Sequence, residues 1–451
     1  MSSGGLSVSD LEFPSAAVSV SQLLSSLRRS ALSVSNRLRS IDADAHFVHE
    51  VADHYNLPLV ANERCGSWYI DPTKKTGSAY FKSTDGHTGE WSFSFRRLNL
   101  QILSLARENG GCIIVDSTRR GKLMPDALSK TVPIWCAVLN RALFPTEPAL
   151  HPVQFPPNFL TASEEAQIEQ RIDGFVDSLK ELKLDLAQLG KDLGRPIRIA
   201  WANQAYFYPT DLHKSGQYNL FVLCSASRRV HGAEASEGGY IQGAGDDSEG
   251  WSNGLTAPVF WESKDVLLAT EESELPSVIQ ELMERNDKTP ASQQATLVLP
   301  SSNLYISQSQ PNSGGHGSYD LVIACNDKPT EGGNIKKLNL GCGPHKLGSR
   351  DLRLALDKVH AFAEKHLGSN ASQSLLVTCE TGKDLSVGTL LAIVCLFYDD
   401  NGKYVGKQPQ LYMDKQFIRQ RLAWIITSKP DANPSRATLQ SVNAFLLQRR
   451  D

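Results

Sequence analysis

Cys112-Ile-Ile-Val-Asp116 is an apolar, strand-like run, Ser117-Thr-Arg-Arg-Gly-Lys122 is the short polar loop that follows it, and a helix is predicted from Pro125 onward. The same order recurs late in the chain, where Leu375-Leu-Val-Thr378 precedes Cys379-Glu-Thr-Gly-Lys-Asp-Leu-Ser386 and a helix over residues 387–397. Units in which a strand, a loop and a helix follow one another indicate an α/β fold. We therefore expect α/β architecture in both halves of the chain.

Both loops have the composition of an anion site. A loop that enters a helix presents unpaired backbone N–H groups and the positive end of the helix dipole, which together attract an anion. One such loop alone is better explained as ordinary α/β connectivity, whereas two of them favour phosphate binding. The expected phosphate-binding residues are Ser117, Thr118, Arg119, Arg120, Gly121 and Lys122 in the first loop, and Glu380, Thr381, Gly382, Lys383 and Ser386 in the second.

Residues 238–255 read GGYIQGAGDDSEGWSNGL and combine glycines with acids and aromatics. Gly243 and Gly245 would let the backbone approach a ligand closely. Asp246, Asp247 and Glu249 offer oxygen ligands of the kind that Mg²⁺ prefers. The alternative is an exposed glycine-rich turn with solvated acids.

A third polar cluster, Lys82-Ser-Thr-Asp-Gly-His87, contributes hydroxyls, a carboxylate and an imidazole just before a predicted strand at 91–95. Taken alone, His87 is more often a structural histidine than a catalytic one.

The composition is that of an ordinary globular protein of 451 residues, with a formal net charge of −3. No apolar run approaches the roughly 20 residues of a membrane span, and the serine-rich start lacks the features of a secretory signal. The eight cysteines show no CxxC spacing, so neither structural zinc nor a disulfide framework is expected. The net charge does not exclude nucleic acid, because binding depends on local basic clusters such as Arg96-Arg97 and those at 419–421.

The predicted organisation has four parts: a flexible tail at 1–20, an α/β domain at 21–286, a linker at 287–295, and a second α/β domain at 296–451. A single long helix is expected over 163–193, because Thr161 and Glu164 mark its start and leucines recur along it. That leucine seam is interpreted as packing within the domain rather than as a dimer zipper.

The second loop resembles the phosphate loop of cysteine-dependent dual-specificity phosphatases, whose pattern is Cys-x5-Arg-Ser/Thr. Cys379 occupies the position of the nucleophile and Ser386 that of the hydroxyl, but Leu385 stands where the arginine should be. Leucine cannot make the bidentate contact that holds a transferring phosphoryl group. The resemblance therefore implies a phosphatase-like fold that lacks phosphatase activity and is retained for binding.

The chain as a whole resembles the fungal and plant initiator-tRNA 2′-O-ribosyl phosphate transferase family. The resemblance rests on the segments Phe81–His87, Val115–Lys122, Tyr240–Glu249 with Trp251, and Cys379–Ser386. It implies an N-terminal α/β catalytic domain followed by a dual-specificity-phosphatase-like α/β domain. The implied activity is transfer of ribosyl phosphate from phosphoribosyl pyrophosphate (PRPP) to the 2′-hydroxyl of adenosine 64 in the T stem of initiator tRNA, which blocks use of that tRNA in elongation.

This resemblance implies roles for the residues already named. PRPP carries a 5′-phosphate and a pyrophosphate, so it needs two anion sites and usually Mg²⁺, for which Asp246, Asp247 and Glu249 are the candidate ligands. Asp85 or His87 would act as the base toward the acceptor hydroxyl, and Asp246 and Asp247 are further catalytic candidates. The remaining expected substrate contacts are Lys82, Ser83, Thr84, Gly243 and Gly245.

The expected partners are initiator methionyl tRNA and PRPP, with no membrane and no obligatory protein partner, in a cytoplasmic location. The second loop would hold either an RNA phosphate or a donor phosphate, and the sequence does not choose between them. A rival interpretation is a catalytically inactive phosphatase-like protein that binds phosphate or RNA. A second rival is a true phosphatase that acts through Cys379, which the missing arginine argues against.

Overall fold

The computed structural model describes residues 32–84, 89–207, 216–230, 239–287, 295–309, 319–326, 337–343, 345–367, 373–406 and 413–448. These residues form two α/β units, each with its own sheet and hydrophobic core. The predicted tail at 1–20 lies outside the described residues. The predicted linker falls between a helix that ends at Asp287 and a strand that begins at Thr296.

The first sheet has six strands in the order β2–β1–β3–β6–β4–β5. Their bounds are β1 Leu59–Asn62, β2 Lys75–Ala79, β3 Gly111–Asp116, β4 Ile197–Asn203, β5 Tyr206–Phe207 and β6 Asn219–Ser225. All neighbouring strands run parallel except β5, which is antiparallel to β4. The central strands β3 and β6 are buried along their whole length, which explains their continuous apolar sequences.

Helices cover both faces of this sheet, because its parallel strands need crossover connections. They are α1 Val34–Tyr55, α2 Ile102–Asn109, α3 Val132–Leu143, α4 Ala162–Glu169, α5 Ile172–Lys180, α6 Leu186–Leu193, α7 Ala257–Glu262, α8 Lys264–Ala269 and α9 Leu275–Asp287. One apolar cluster packs α2 to α6 on one side, and a second packs α1 and α7 to α9 on the other.

The second sheet has five strands in the order β10–β9–β11–β8–β7, and only β7 is antiparallel to its neighbour. The strands are β7 Thr296–Leu297, β8 Leu304–Gln308, β9 Leu321–Ala324, β10 Lys337–Asn339 and β11 Leu375–Cys379, and the helices are α10 His345–Leu367, α11 Leu385–Phe397, α12 Lys415–Ser428 and α13 Arg436–Gln448. Every residue of α11 is buried, because α10, α12 and α13 all pack against it.

The two domains contact each other through α12 and the loop before α13. Ala423 of α12 belongs to the core of the first domain, and the Gln420 amide donates to the Glu181 carbonyl at 2.7 Å. Arg96 of the first domain donates to the Pro434 carbonyl at 3.3 Å. Across all the helices in the described ranges, none has both the length and the apolar character needed to cross a membrane.

Two predicted elements are wrong. The helix predicted over 163–193 is three helices, α4 to α6. The break before α6 arises because Lys183 takes a left-handed backbone conformation (φ 54°) and Asp185 caps a new helix at the Gln188 amide. The leucine seam nevertheless packs within the domain, as predicted. Residues 91–95 do not form a strand: Trp91 and Phe93 are buried and Ser92 is exposed, but this segment joins no sheet.

Candidate active site

The candidate site lies at the carboxyl edge of the first sheet, where β1 and β3 end side by side. The chain leaves β1 toward β2 on one side and leaves β3 toward β4 on the other, so a crevice opens between the ends of β1 and β3. The register pairs Ala61 with Val115, which brings the next residues, Asn62 and Asp116, level with each other. Asn62 Nδ2 donates to Asp116 Oδ2 at 2.8 Å.

Arg64 joins this edge to the glycine-aspartate loop. Its guanidinium contacts Asp116 at 3.0 and 3.2 Å and Asp246 at 3.4 Å, and it also donates to the Ser117 carbonyl. Asp116 is completely buried and Asp246 is 5% exposed. One arginine therefore compensates two buried carboxylates, which would otherwise be very costly to ionise.

Asp246 is perturbed by this setting. Burial raises the pKa of Asp246 to about 6, even though the Arg64 charge acts in the opposite direction. A carboxyl with a pKa in this range exchanges protons near neutral pH, which is a property of groups that act in acid–base catalysis.

The glycine-aspartate loop packs against the loop that follows β3. A Cβ atom on Gly243 would lie 2.6 Å from the Thr118 carbonyl oxygen, and one on Gly245 would lie 2.9 Å from Trp68 Cβ. Gln242 locks the two loops together, because it accepts from the Gly121 amide at 2.8 Å and donates to the Lys122 carbonyl at 2.7 Å. Gly243 and Gly245 were expected to let the backbone approach a substrate. In the structure they let this loop pack closely against other residues of the same chain.

The three acids predicted to hold Mg²⁺ are not brought together. Asp246 points inward to Arg64, whereas Asp247 is exposed and forms an ion pair with Arg119. Glu249 is also exposed. Within the part of the chain that the structure describes, no group of three or more His, Cys, Asp or Glu residues could hold a metal ion. The acids of this loop therefore do not fit a preformed magnesium site.

The loop after β3 presents side chains rather than an open backbone cradle. Its Ser117 amide donates to Asp116 Oδ1 at 2.8 Å, its Thr118 amide to Ser227 Oγ at 3.3 Å, and its Gly121 amide to Gln242. The side chains of Arg119 and Lys122 are 40% and 43% exposed, and Arg120 is exposed as well. The cationic side chains are therefore the most accessible groups of this loop for a phosphate.

In the second loop, between β11 and α11, backbone amides also donate to acceptors within the protein. Its Glu380 amide donates to Asn326 Oδ1 at 2.7 Å, its Gly382 amide to the Cys379 carbonyl at 3.0 Å, and its Lys383 amide to Thr381 Oγ1 at 3.2 Å. Three of the N–H groups that would cradle a phosphate thus already have acceptors within the protein. The cradle predicted for residues 380–383 is therefore occupied at Glu380, Gly382 and Lys383.

The phosphatase-like residues of the second loop are buried. Leu385 is 6% exposed and belongs to the core, and Ser386 is completely buried. Cys379 Sγ lies 3.0 Å from Ser386 Oγ. Burial alone would raise the pKa of the Cys379 thiol, but hydrogen bonds with Ser386, the Asp384 backbone and Thr381 outweigh burial and lower it. The position of the phosphatase arginine is thus filled by the core residue Leu385, beside a thiol whose pKa is lowered.

A cleft of about 800 Å³ lies between the two domains beside Arg64. The first domain contributes Arg64, Lys75 and Arg97 to its lining, and the second contributes Lys383 and Asp431. Lys383 is the one residue of the second loop that lines this cleft; its ammonium lies 3.5 Å from Asp431. Residues 117–122 do not line the cleft.

The Lys82–His87 cluster is only partly described, because Asp85 and His87 lie outside the described residues. Lys82 is exposed, and its carbonyl accepts from Thr131 Oγ1 at 2.8 Å. Ser83 is half-buried, while Thr84 is buried and donates to Asp126 at 3.2 Å. Lys82 and Thr84 line a second groove between the domains rather than the cleft beside Arg64.

The sequence interpretation missed Arg64 and the role of Asp116. Arg64 follows the short run Leu59–Asn62, which alternation and length do not distinguish from a loop. The available signal was the charged Glu-Arg pair directly after an apolar run, because ligand sites of parallel sheets lie at the carboxyl ends of strands. Arg228 and Arg229, which follow β6 at the same edge, were also missed.

Comparison with known proteins accounts for both domains. Residues 27–284 match the family model described as the Rit1 N-terminal domain, and residues 336–446 match the Rit1 DUSP-like domain. The tRNA A64-2'-O-ribosylphosphate transferase of Saccharomyces cerevisiae is 34% identical over 498 residues, with 95% of each chain covered. An uncharacterised protein of Schizosaccharomyces pombe is 37% identical over 441 residues, which cover 91% of this chain and 94% of that one.

Two solved structures are similar to about a third of the chain. The Yvh1 phosphatase domain of Chaetomium thermophilum is 17% identical with a TM-score of 0.28, and covers 34% of this chain and 96% of its own. The PTP-2 phosphatase of Cydia pomonella is 11% identical with a TM-score of 0.24, and covers 34% and 89%. Because these TM-scores are low, the assignment of the second domain rests on the family model. The two family models and the full-length relatives show that the chain belongs to the Rit1 family.

Proposed function

We propose that this protein transfers a ribosyl phosphate group from PRPP to the 2′-hydroxyl of adenosine 64 in the T stem of initiator tRNA. The bond from the anomeric carbon to pyrophosphate breaks, a bond from that carbon to the 2′-oxygen forms, pyrophosphate leaves with the bonding pair, and the hydroxyl proton passes to a base. The bulky anionic product would keep the tRNA out of elongation, and a cytoplasmic location is part of this proposal. The full-length relative with a transferase name supports the reaction class.

The observation that carries the proposal is the convergence of Arg64, Asp116 and Asp246 at the switch point of a parallel sheet, beside a cleft of ligand size. Ligand sites in open α/β sheets lie at such points, and about 800 Å³ is within the range of small-molecule pockets. Two sets of cations lie near this group, and among the described residues neither set pairs with Asp116 or Asp246. One is Arg119, Arg120 and Lys122, and the other is Lys75, Arg97 and Lys383 around the cleft. A donor that carries phosphate at both ends requires two such sets.

The buried carboxylates are assigned to the sugar of the donor rather than to its phosphates. Departure of pyrophosphate leaves positive charge on the sugar ring, as in other oxocarbenium-like transition states, and nearby carboxylates stabilise that charge. Asp246 is the better candidate, because Arg64 contacts it at 3.4 and 3.5 Å, whereas Arg64 contacts Asp116 more closely, at 3.0 and 3.2 Å. The proton of the 2′-hydroxyl is assigned to Asp85 or His87, with Asp246 as the other candidate.

Magnesium enters this proposal as an ion carried by the pyrophosphate of the donor. Mg²⁺ commonly binds substrate phosphates with only one or two carboxylates and several waters. Asp247 and Glu249 are exposed and could contact such an ion through water.

The rival function is an inactive phosphatase-like module that binds phosphate or RNA. This rival is consistent with Leu385, but it does not explain the buried Arg64–Asp116–Asp246 group of the first domain. A true phosphatase is disfavoured, because Leu385 is part of the core and the loop amides are occupied.

The direct test is to incubate the full chain with initiator tRNA and PRPP and to measure the intact mass of the tRNA. We expect a gain of one ribosyl phosphate, located at adenosine 64 by nuclease mapping, with no gain on an elongator tRNA and no hydrolysis of an aryl phosphate. Absence of any gain with tight tRNA binding would favour the rival module. Release of phosphate from the aryl ester would favour the phosphatase.

A further inference from the structure

A second groove, of about 390 Å³, lies between the domains and is separate from the cleft beside Arg64. We call it the basic groove, after the five cations that line it: Lys82, Arg96, Arg97, Lys415 and Arg419. Its floor is apolar and includes Phe93, Trp135 and Leu422. Among the residues that the structure describes, no acidic side chain lines it.

The charges of the basic groove are not compensated by acids. In the described part of the chain, none of the five cations forms an ion pair with a carboxylate, whereas Lys75 and Lys383 of the neighbouring cleft pair with Glu63 and Asp431. The chain has a formal net charge of −3. A local concentration of uncompensated positive charge in a slightly acidic protein marks an anionic partner.

Arg97 and Arg419 of the basic groove are ordered by contacts that do not neutralise their charge. Arg97 lies over the Tyr80 ring, 3.2 Å from its centroid, and donates to Asn433 across the domain interface. Arg419 lies over the Phe95 ring, 5.5 Å from its centroid. Contacts with rings and neutral oxygens order a guanidinium at low entropic cost for binding while they leave its charge available.

We propose that the basic groove binds backbone phosphates of the tRNA substrate, an inference that rests on the proposed function and extends it. RNA is the occupant that the charge favours, because a helical backbone presents successive phosphates to cations spread along a groove. Tyr80, Arg97 and Asn99 line both the basic groove and the cleft. RNA bound in the basic groove therefore lies next to the cleft in which the donor is proposed to bind.

The groove also assigns a role to the phosphatase-like domain. Lys415 and Arg419 lie on α12 and are exposed, whereas Arg96, Arg97 and Lys82 belong to the first domain. The second domain thus supplies two of the five cations of an RNA-binding groove through a helix face, rather than through the loop that holds phosphate in phosphatases. Neither domain alone forms the groove.

The test uses the full-length double variant Lys415→Glu, Arg419→Glu and a matched control, Lys358→Glu, Lys403→Glu. The control makes the same charge change at exposed positions of the same domain that do not line the groove. Binding of initiator tRNA is measured by fluorescence anisotropy at several salt concentrations, and KM is measured for tRNA and for PRPP. Thermal unfolding checks that both variants are folded.

We expect the groove variant to weaken tRNA binding at least tenfold and to lower the salt slope by about two, since each phosphate contact contributes roughly one. The control should stay within twofold, and the KM for PRPP should not change. Equal weakening in the control, an unchanged affinity in the groove variant, or an effect confined to PRPP would overturn the inference. Groove-dependent tRNA binding in a protein that transfers nothing would contradict the proposed function alone.

Discussion

The loop after β3 and the loop after β11 occupy the same place in their domains, yet only the first is flanked by a buried arginine–carboxylate group. Each follows a buried central strand of a parallel sheet and leads toward a buried helix. The first is flanked by Arg64 and Asp246 and exposes Arg119, Arg120 and Lys122. The second has Leu385 in the core and exposes one cation, Lys383, toward the interdomain cleft.

This difference teaches that a strand-loop-helix pattern fixes where a loop lies but not what the loop can bind. In both loops, backbone amides that could hold an anion donate to side chains such as Gln242 and Asn326. What distinguishes the loops is therefore the side chains brought to them from elsewhere. Arg64 and Asp246 come from segments 52 positions before and 130 positions after Asp116 in the chain.

Replacement of Arg64 by alanine should have the largest effect. It leaves Asp116 and Asp246 buried without a countercharge, which we expect to destabilise the first domain by about 3 kcal/mol and to abolish measurable transfer. Thermal unfolding and a single-turnover assay measure the two effects. Arg64→Lys is the control: it keeps the charge but loses the two-nitrogen contact, so the stability should be largely restored while the rate stays low.

The Asp246→Asn variant should lower kcat/KM by roughly a hundredfold, in the range of lost acid–base or electrostatic groups. In the wild-type protein the Asp246 pKa is raised to about 6, so the carboxylate forms as the pH rises through that value. We expect kcat/KM to rise with pH up to about 6 and then to level off, and the asparagine variant to lack this rise.

The same shift predicts the direction of a stability effect. Because the folded-state pKa lies above the ordinary value of 3.8, the folded protein binds more protons between these two values, and stability falls as the pH rises from 3.8 to about 6. Asp246→Asn should flatten that part of the stability curve. A rate profile with no inflection near pH 6 in the wild type would argue against a catalytic role for Asp246.

The double variant Arg119→Ala, Arg120→Ala should raise the KM for PRPP about tenfold and leave tRNA binding nearly unchanged, because the loop after β3 is assigned to the donor. The measurement is initial-rate kinetics with each substrate varied in turn. Lys180→Ala, Lys191→Ala is a matched control, since both lysines are exposed and lie on α5 and α6, in neither the loop nor the cleft. A larger effect on tRNA than on PRPP would reassign the first loop to the RNA.

Changes in the second loop should have the smallest effects on transfer. Cys379→Ser should leave the rate within about twofold, because the thiol is 2% exposed and the loop has no open phosphate cradle. Leu385→Arg should restore no phosphatase activity and should destabilise the second domain by roughly 1–3 kcal/mol, because it forces a long charged chain into the core. An aryl phosphatase assay and thermal unfolding check both outcomes.

The sequence predicted the strand-loop-helix units because their apolar strands and buried helices are local patterns. It also assigned the loop after β3 to phosphate and the glycine-aspartate loop to Mg²⁺, and the structure shows that these two loops contact each other. Arg64 was missed because the strand before it is only four residues long, so the charged Glu-Arg pair was not recognised as the end of a strand. The break at Lys183 and the unpaired run at 91–95 depend on tertiary packing, which overrides local periodicity.

The most direct test of the account is the intact mass of initiator tRNA after incubation with PRPP and with either of two full-length variants, Asp246→Asn and Cys379→Ser. If the carboxyl edge of the first sheet carries the chemistry, Cys379→Ser adds one ribosyl phosphate as the wild-type protein does, and Asp246→Asn adds little or none in the same time. Modification by Asp246→Asn at the wild-type rate together with loss of modification by Cys379→Ser would place the reaction in the second domain and contradict the account.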